Sequence, residues 1–294
     1  MTLKPDRPVD PAALLVIQEI HKASKALGYP VLLVGAMARI ILLENIFGLN
    51  PGRATTDVDF AFVLDDWEQY RALKNFLLAN ASFEESKHEA HRLFLRLPGS
   101  EHKYTVDLIP FGGIETSPNT IAWPPDMAIM MNVAGYSDAL AAAVEVEVST
   151  GVNMAIASLP GIAMLKLFAW AERGQENPKD AIDLVLLLRS YHEAGNENRI
   201  YGEEAALKAL ETAGYDIELA GAWLLGNDAL AMASAQTNTE LQELLNGSKR
   251  ARLIADMTRA MPGRDNAMEY SHRLLEQFTN GFTAEPDNNN KQNS

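Results

Sequence analysis

The chain has 294 residues, 47% of them hydrophobic, which is material for one large domain or two ordinary ones. Its 39 acidic and 25 basic side chains leave a net charge of −14, which argues against a surface that coats nucleic acid generally and confines any such contact to a local patch. There is no cysteine, so disulfides, thiolate metal sites and thiol nucleophiles are excluded, and any metal must be held by oxygen or imidazole.

Asp10 followed by Pro11 signals a helix start, and "AALLVIQEIHKASKALG" keeps helical apolar spacing until Gly28 stops it. "PVLLVGA" then reads as a short buried strand ending at a tight turn, and "AMARIILLENIFG" as the helix that leaves it. After the loop "NPGRAT", the stretch "TDVDFAFV" alternates Val58, Phe60 and Phe62 with Asp57, Asp59 and Ala61, so both carboxylates share one face of a strand.

"DDWEQYRALKNFLLAN" predicts a helix with acidic residues in its first turn. "HRLFLRLPG" and "KYTVDLIPFG" alternate as two strands joined by the turn "PGSEHK", with Asp107 on the face opposite Val106 and Leu108. Residues 112–125, rich in Pro and Gly, predict a loop, and "AAVEVEVSTGVNMAIAS" a hairpin turning at "STG". "SLPGIAMLKLFAWAERG" and "NPKDAIDLVLLLRSY" predict helices capped by Ser158 and Asn177, and everything from 158 onward reads as helical. The tail "TAEPDNNNKQNS" is too polar to pack. The expected fold is α+β: an α/β domain over 1–157 with a mixed sheet flanked by helices, a helical domain over 158–282, and a disordered tail over 283–294.

Gly35 ends a strand and opens a helix, so it reads either as an anion site facing free backbone N–H groups or as an ordinary turn that needs glycine for its backbone angles. Asp57 and Asp59 side by side repel unless a cation lies between them or the strand face stays in water. A hard divalent ion such as Mg²⁺, which takes carboxylate and phosphate oxygens, resolves the first case. Asp107 completes a three-carboxylate cluster if its strand is an antiparallel neighbour of the Asp57/Asp59 strand. Lys166, in an apolar helix, needs either room to snorkel or an anionic partner. Asp180 and Asp183, three apart, share a helical face that is either exposed or partnered by Lys166 or Arg39. Lys87, His88, His91, Arg92 and Arg96, with the run Lys249, Arg250 and Arg252, are the concentrations of positive charge, and each is either a phosphate contact or a solvated face. No zinc-type His spacing and no nucleophile elbow is present. No apolar run approaches the roughly 18 residues of a membrane span and no signal core opens the chain, so a cytoplasmic protein without membrane association is expected.

In order, "VGAMAR", "TDVDFAF" and "YTVDLIP" resemble the nucleotidyltransferase superfamily pattern of a glycine turn, a DxD strand and a later single-Asp strand. "SLPGIAMLKLFAWAER" and "NPKDAIDLVLLL" resemble two further motifs of the AbiEii-type nucleotidyltransferase toxins, and the match covers roughly residues 30–190. The resemblance implies transfer of a nucleotide from an NTP, with Mg²⁺ or Mn²⁺, to an acceptor hydroxyl. It implies Asp57, Asp59 and Asp107 as metal-holding and catalytic residues, Asp180 and Asp183 as their support, and Gly35, Ala36, Arg39, Thr56 and Lys166 around the NTP. The chain departs from the pattern at Ala36, where a small polar residue or glycine is usual, and at Lys179, where arginine is usual. The acceptor implied is RNA such as tRNA, or a protein, and the expected partner is a cognate antitoxin. A small cationic antibiotic as acceptor, a non-catalytic NTP-binding module and a helical scaffold are the other readings.

Overall fold

The computed structural model describes residues 1–80, 83–96 and 103–284. They fall into two compact units, Met1–Phe168 and Ala169–Ser294, and the division lies inside a helix. The expected turn "PGSEHK" falls almost entirely outside the described residues, as does most of the expected disordered tail.

In the first unit, helix α1 (Pro11–Leu27) starts where Asp10 accepts from the N–H groups of Ala12 and Ala13, both at 3.0 Å, and ends at Gly28 with φ 72°. Strand β1 (Val31–Val34) runs straight into α2 (Gly35–Ile40), which continues as a π-helical stretch, Ile41–Phe47. Then follow β2 (Asp57–Val63), α3 (Trp67–Asn80), β3 (Phe83–Glu85), β4 (Arg92–Arg96) and β5 (Lys103–Phe111). A separate ribbon of β6 (Thr120–Trp123) and β7 (Ile129–Asn132), a short α4 (Tyr136–Ala141) and the hairpin β8 (Val144–Ser149) and β9 (Val152–Ile156) lead into α5 (Leu159–Arg173).

The seven-stranded sheet has the order β3-β4-β5-β2-β1-β9-β8 and is mixed. β1 and β2 are antiparallel, while β2 and β5 run parallel, pairing Asp57 with Thr105 and Asp59 with Asp107. The antiparallel arrangement expected for the two acidic strands is thus corrected. The chain leaves β2 through α3 and makes the β3–β4 excursion before returning, so β5 enters from the same end as β2 and β4 is its antiparallel partner. Val58, Phe60, Val106 and Leu108, fully buried, anchor the opposite face. Residues 112–125 are not loop throughout: between the Pro- and Gly-rich flanks, the apolar run "TIAW" pairs with β7 and buries Ile121 and Trp123.

The regular structure of the second unit is all helical among its described residues: α6 (Lys179–Ser190), a kinked π-helical stretch (His192–Asn196), α7 (Glu197–Gly202), α8 (Glu204–Thr212), α9 (Ile217–Met232), α10 (Ala235–Asn246), α11 (Arg250–Thr258) and α12 (Ala267–Phe282). α9 and α12 approach closely because glycine stands at the seam. A Cβ on Gly226 would overlap the Phe278 carbonyl, and one on Gly281 the Trp223 carbonyl. The basic run Arg250–Arg252 begins α11, and Arg250 Nη1 donates to the Leu245 carbonyl at 2.7 Å, so part of that charge caps its own helices. No helix among the described residues is long and apolar enough to cross a membrane.

Candidate active site

Gly35 stands where β1 becomes α2. Gly35 has φ +70°, a conformation L side chains rarely adopt, and a Cβ there would overlap Asp59 Oδ2 and lie 2.9 Å from its Cγ. Val34 and Asp59 are cross-strand partners, so the Asp59 carboxylate lies against the backbone at the point where β1 becomes α2. Of the two readings of this residue, the strained turn is present, and it brings a carboxylate to the helix start as well.

On β2 the acidic face opens toward the strand's beginning. Asp57 is exposed, Asp59 half-buried and Ala61 fully buried, so the face passes from solvent to core within five residues. Thr55 Oγ1 accepts from the Asp57 N–H at 3.0 Å, which fixes the entry to the strand. Thr56, exposed, accepts through its carbonyl from the Thr105 N–H at 3.2 Å and so ties β2 to β5. Ala36 and Arg39 are buried on α2, and Arg39 Nη2 donates to the Arg53 carbonyl at 3.3 Å. Lys166, on α5, is only 7% exposed, so it does not snorkel to water.

Asp107 has a partner the sequence reading did not assign. Arg92 Nε donates to its Oδ1 at 2.8 Å and Arg92 Nη2 to its Oδ2 at 2.9 Å, a bidentate fork, while Arg92 Nη1 donates to Glu89 at 3.0 Å. The hydrogen bond to Asp107 raises the affinity of Arg92 for its proton above the ordinary value, with partial burial opposing and the fields of Asp107, Glu89 and Asp57 adding. His91 Nε2 lies 4.0 Å from Asp107 Oδ2; burial lowers the imidazole pKa, against the pull of Asp107. Of the expected set Asp57, Asp59 and Asp107, the third carboxylate is thus already paired with Arg92. Among the described residues, no group of three or more carboxylate or imidazole side chains has metal-holding geometry, and Arg92 already balances the third charge.

The pair Asp57 and Asp59 still suits a hard divalent cation. Both supply carboxylate oxygen from one strand face, and an ion such as Mg²⁺ commonly takes one or two protein carboxylates and fills the rest of its shell with water and phosphate oxygens. Asp180 and Asp183 lie in the second unit on α6, 0% and 2% exposed, so they are not an exposed helical face. Arg173 Nε donates to Asp180 Oδ2 at 2.8 Å, and Asp180 occupies the first turn of α6, where the helix dipole favours it.

Beside the acidic strands lies a cluster the sequence reading left unassembled. The rings of Trp67, Tyr70 and Trp123 meet at centroid distances of 5.0 to 5.4 Å, and His91 stands 5.6 Å from Trp123. Tyr70 Oη donates to the Ala90 carbonyl at 3.2 Å, and burial, then Asp107 and Glu85, push its pKa far above the usual value. The antiparallel pairing of β4 with β5 sets position 92 opposite position 107.

A sequence profile described as "Nucleotidyl transferase AbiEii toxin, Type IV TA system" matches residues 25–270. No curated protein sequence matches significantly. Among solved structures, the chain is similar to an antigenic nucleotidyltransferase-like protein from Paracoccidioides brasiliensis, with TM-score 0.42 and 17% identity over 70% of this chain and 94% of that one. It is also similar to the antibiotic-resistance factor ANT(2″)-Ia, at 0.37 and 15% over 70% and 98%, and to a CCA-adding enzyme with CTP, at 0.27 and 12% over 91% and 79%.

Proposed function

We propose that this chain, which belongs to the AbiEii nucleotidyltransferase toxin family of type IV toxin–antitoxin systems, transfers a nucleotide from an NTP to an acceptor hydroxyl, using Mg²⁺ or Mn²⁺ held by Asp57 and Asp59. The observation that carries this reading is the approach of Asp59 to Gly35, which sets a carboxylate pair beside a strained strand-to-helix turn. The bound cation supplies charge neutralisation at the α-phosphate and on the departing pyrophosphate.

The backbone at Gly35 and Ala36 faces the β- and γ-phosphates, and Arg39, Thr56 and Lys166 complete that side. The acceptor oxygen bonds to the α-phosphorus while the bond to the bridging oxygen breaks, and pyrophosphate leaves with the bonding pair. The hydroxyl proton passes to water at the exposed mouth of β2. Asp107, both oxygens already accepting from Arg92, positions that guanidinium beside the reacting groups. Asp180 and Asp183 support the start of α6. The acceptor is RNA such as tRNA, and the regulating partner is a cognate antitoxin in the cytoplasm.

The test is direct. Asp57→Asn and Asp59→Asn chains are incubated with Mg²⁺, each labelled NTP and total RNA, and both label transfer and pyrophosphate are measured. Each substitution is expected to lower transfer about a thousandfold with the circular dichroism unchanged. Transfer at the parent rate by either variant overturns the reading.

A further inference from the structure

The sheet edges of the first unit are not guarded alike. The seven-stranded sheet ends at β3, where Glu84 and Glu85 are exposed, and at β8, where Glu145 and Glu147 are exposed. β8 is covered further by the start of the chain, since Thr2 bridges to Glu147 and the Met1 ammonium donates to the Glu145 carbonyl at 2.6 Å. Charge and cover of this kind keep a foreign strand from adding to an edge. β7 has neither. Residues 116–137 carry a single charged side chain, Asp126, in a chain where 22% of residues are charged. Ile129, Met130 and Met127 are 67%, 52% and 44% exposed, three of the seven large hydrophobic residues so exposed among the described residues, gathered within four positions. A concentrated apolar surface of this kind marks a contact site.

The backbone of β7 is only half used. The Val133 N–H donates to the Asn119 carbonyl at 2.8 Å, so by antiparallel alternation the pairs Ile121 with Met131 and Trp123 with Ile129 are the hydrogen-bonded ones. Met130, opposite Ala122, falls between them, and its N–H and C=O point away from β6. No strand other than β6 pairs with β7 among the described residues. Ile121, Ala122 and Trp123 are all buried, so the ribbon is fastened through β6 and β7 is its outer edge. A ribbon of two strands is marginal by itself and gains from a further strand.

We propose that β7 is the edge through which two copies of this chain associate, pairing antiparallel across a two-fold axis to form a four-stranded sheet β6-β7-β7-β6. With the axis at Met130, that residue exchanges both backbone hydrogen bonds with Met130 of the partner subunit, and Ile129 of each copy stands opposite Met131 of the other. The patch thus complements itself, as a two-fold interface requires. Charge selects a second copy over a strand of another protein. Two chains of net charge −14 repel over most of their surfaces, and a ribbon almost without charge is where they can touch with few carboxylates opposed. A partner drawn in by the acidic surface would be cationic and would use carboxylates beside the edge, where residues 116–137 offer Asp126 alone. A strand of four residues buries less than the roughly 1,600 Å² of a standard stable interface, so the dimer is a reversible one that forms at micromolar concentration.

Sedimentation velocity of the full chain from about 1 µM to about 300 µM is expected to show a monomer–dimer equilibrium. Added salt is expected to strengthen the dimer by screening like charges, the reverse of an interface held by ion pairs. Ile129→Lys sets a charge on the edge at an exposed position where folding is not at stake, and is expected to weaken dimerisation at least about tenfold. Met130→Pro, which removes the outward N–H and leaves the bonds to β6, is expected to do the same, with circular dichroism and a thermal melt reporting that both variants fold. Hydrogen exchange supplies a local readout: the Met130 amide is expected to slow as concentration rises, while those of Ile129 and Met131, already bonded to β6, stay as they are. A chain that remains monomeric over the whole range overturns the proposal, as does a dimer that forms equally well with both substitutions. A monomer whose Met130 amide becomes protected only when a different protein is added also overturns it, because the edge would then take a strand of that protein.

Discussion

Gly35 and Asp59 approach so closely that no other residue type fits the first position without moving the second. Gly35→Ala meets two obstacles: a left-handed backbone angle of +70°, costing about 1–2 kcal/mol in an L residue, and overlap with the Asp59 carboxylate. Displacement of that carboxylate by about an ångström is expected to lower transfer roughly a hundredfold. Steady-state kinetics beside a thermal melt separate the two effects; an unchanged rate would mean that Asp59 does not need its present position.

The Arg92–Asp107 fork predicts strong coupling. Side-chain exposures of 28% and 14% leave the pair partly screened, so Arg92→Ala and Asp107→Ala are each expected to cost about 1–3 kcal/mol in urea unfolding. The double variant is expected to cost clearly less than the sum, because neither group is then left without its partner. Additive losses in the cycle would show that the fork contributes little.

Acid sensitivity is expected at the sheet edge. Hydrogen bonds from Lys103 and then Arg96 hold the Glu84 pKa at about 2, below its ordinary value of 4.5. A depressed carboxylate pKa means that the unfolded chain binds the proton more readily. The contribution is present above pH 4.5 and fades as pH falls toward 2. Unfolding curves for the parent and Glu84→Gln, taken from pH 5 to pH 2, should converge at the acid end; parallel curves would contradict the assignment.

Two glycines of different surroundings give a contrasting pair. Gly28 has φ +72° and nothing near its missing Cβ, so Gly28→Ala is expected to cost about 1 kcal/mol from backbone strain alone. Gly281 faces the Trp223 carbonyl across the α9–α12 seam, so Gly281→Ala must separate two helices and is expected to cost about 3 kcal/mol or more. Chemical denaturation of both variants ranks them, and the reverse order would contradict the close seam.

Local signals carried far along this chain. Asp10 and Gly28 bound α1 because caps and left-handed stops act within a few residues, and the alternation of Val58, Phe60 and Phe62 with Asp57 and Asp59 describes β2 as it stands. The direction of β5 did not follow from its own alternation, which is the same for parallel and antiparallel strands; it depends on the excursion through β3 and β4. The short strand β6 was hidden by the Pro and Gly on both sides of "TIAW", and its pairing with β7 comes from a segment the periodicity did not mark. Arg92, grouped by composition with other basic residues, acquires its role only when the hairpin register sets it opposite Asp107. The aromatic cluster draws on Trp67, Tyr70 and Trp123, more than fifty residues apart in part, and no window of sequence contains it.

The parallel register of β2 and β5 has a consequence for precision. Since side chains alternate, sliding one strand by a single residue would drive Asp57 and Asp59 into the core and expose Val58 and Phe60. The dry face of these strands therefore acts as a ruler for the wet one: the spacing of the carboxylates is measured out by hydrophobic contacts that never meet a substrate, and the chemistry inherits its tolerance from the packing behind it.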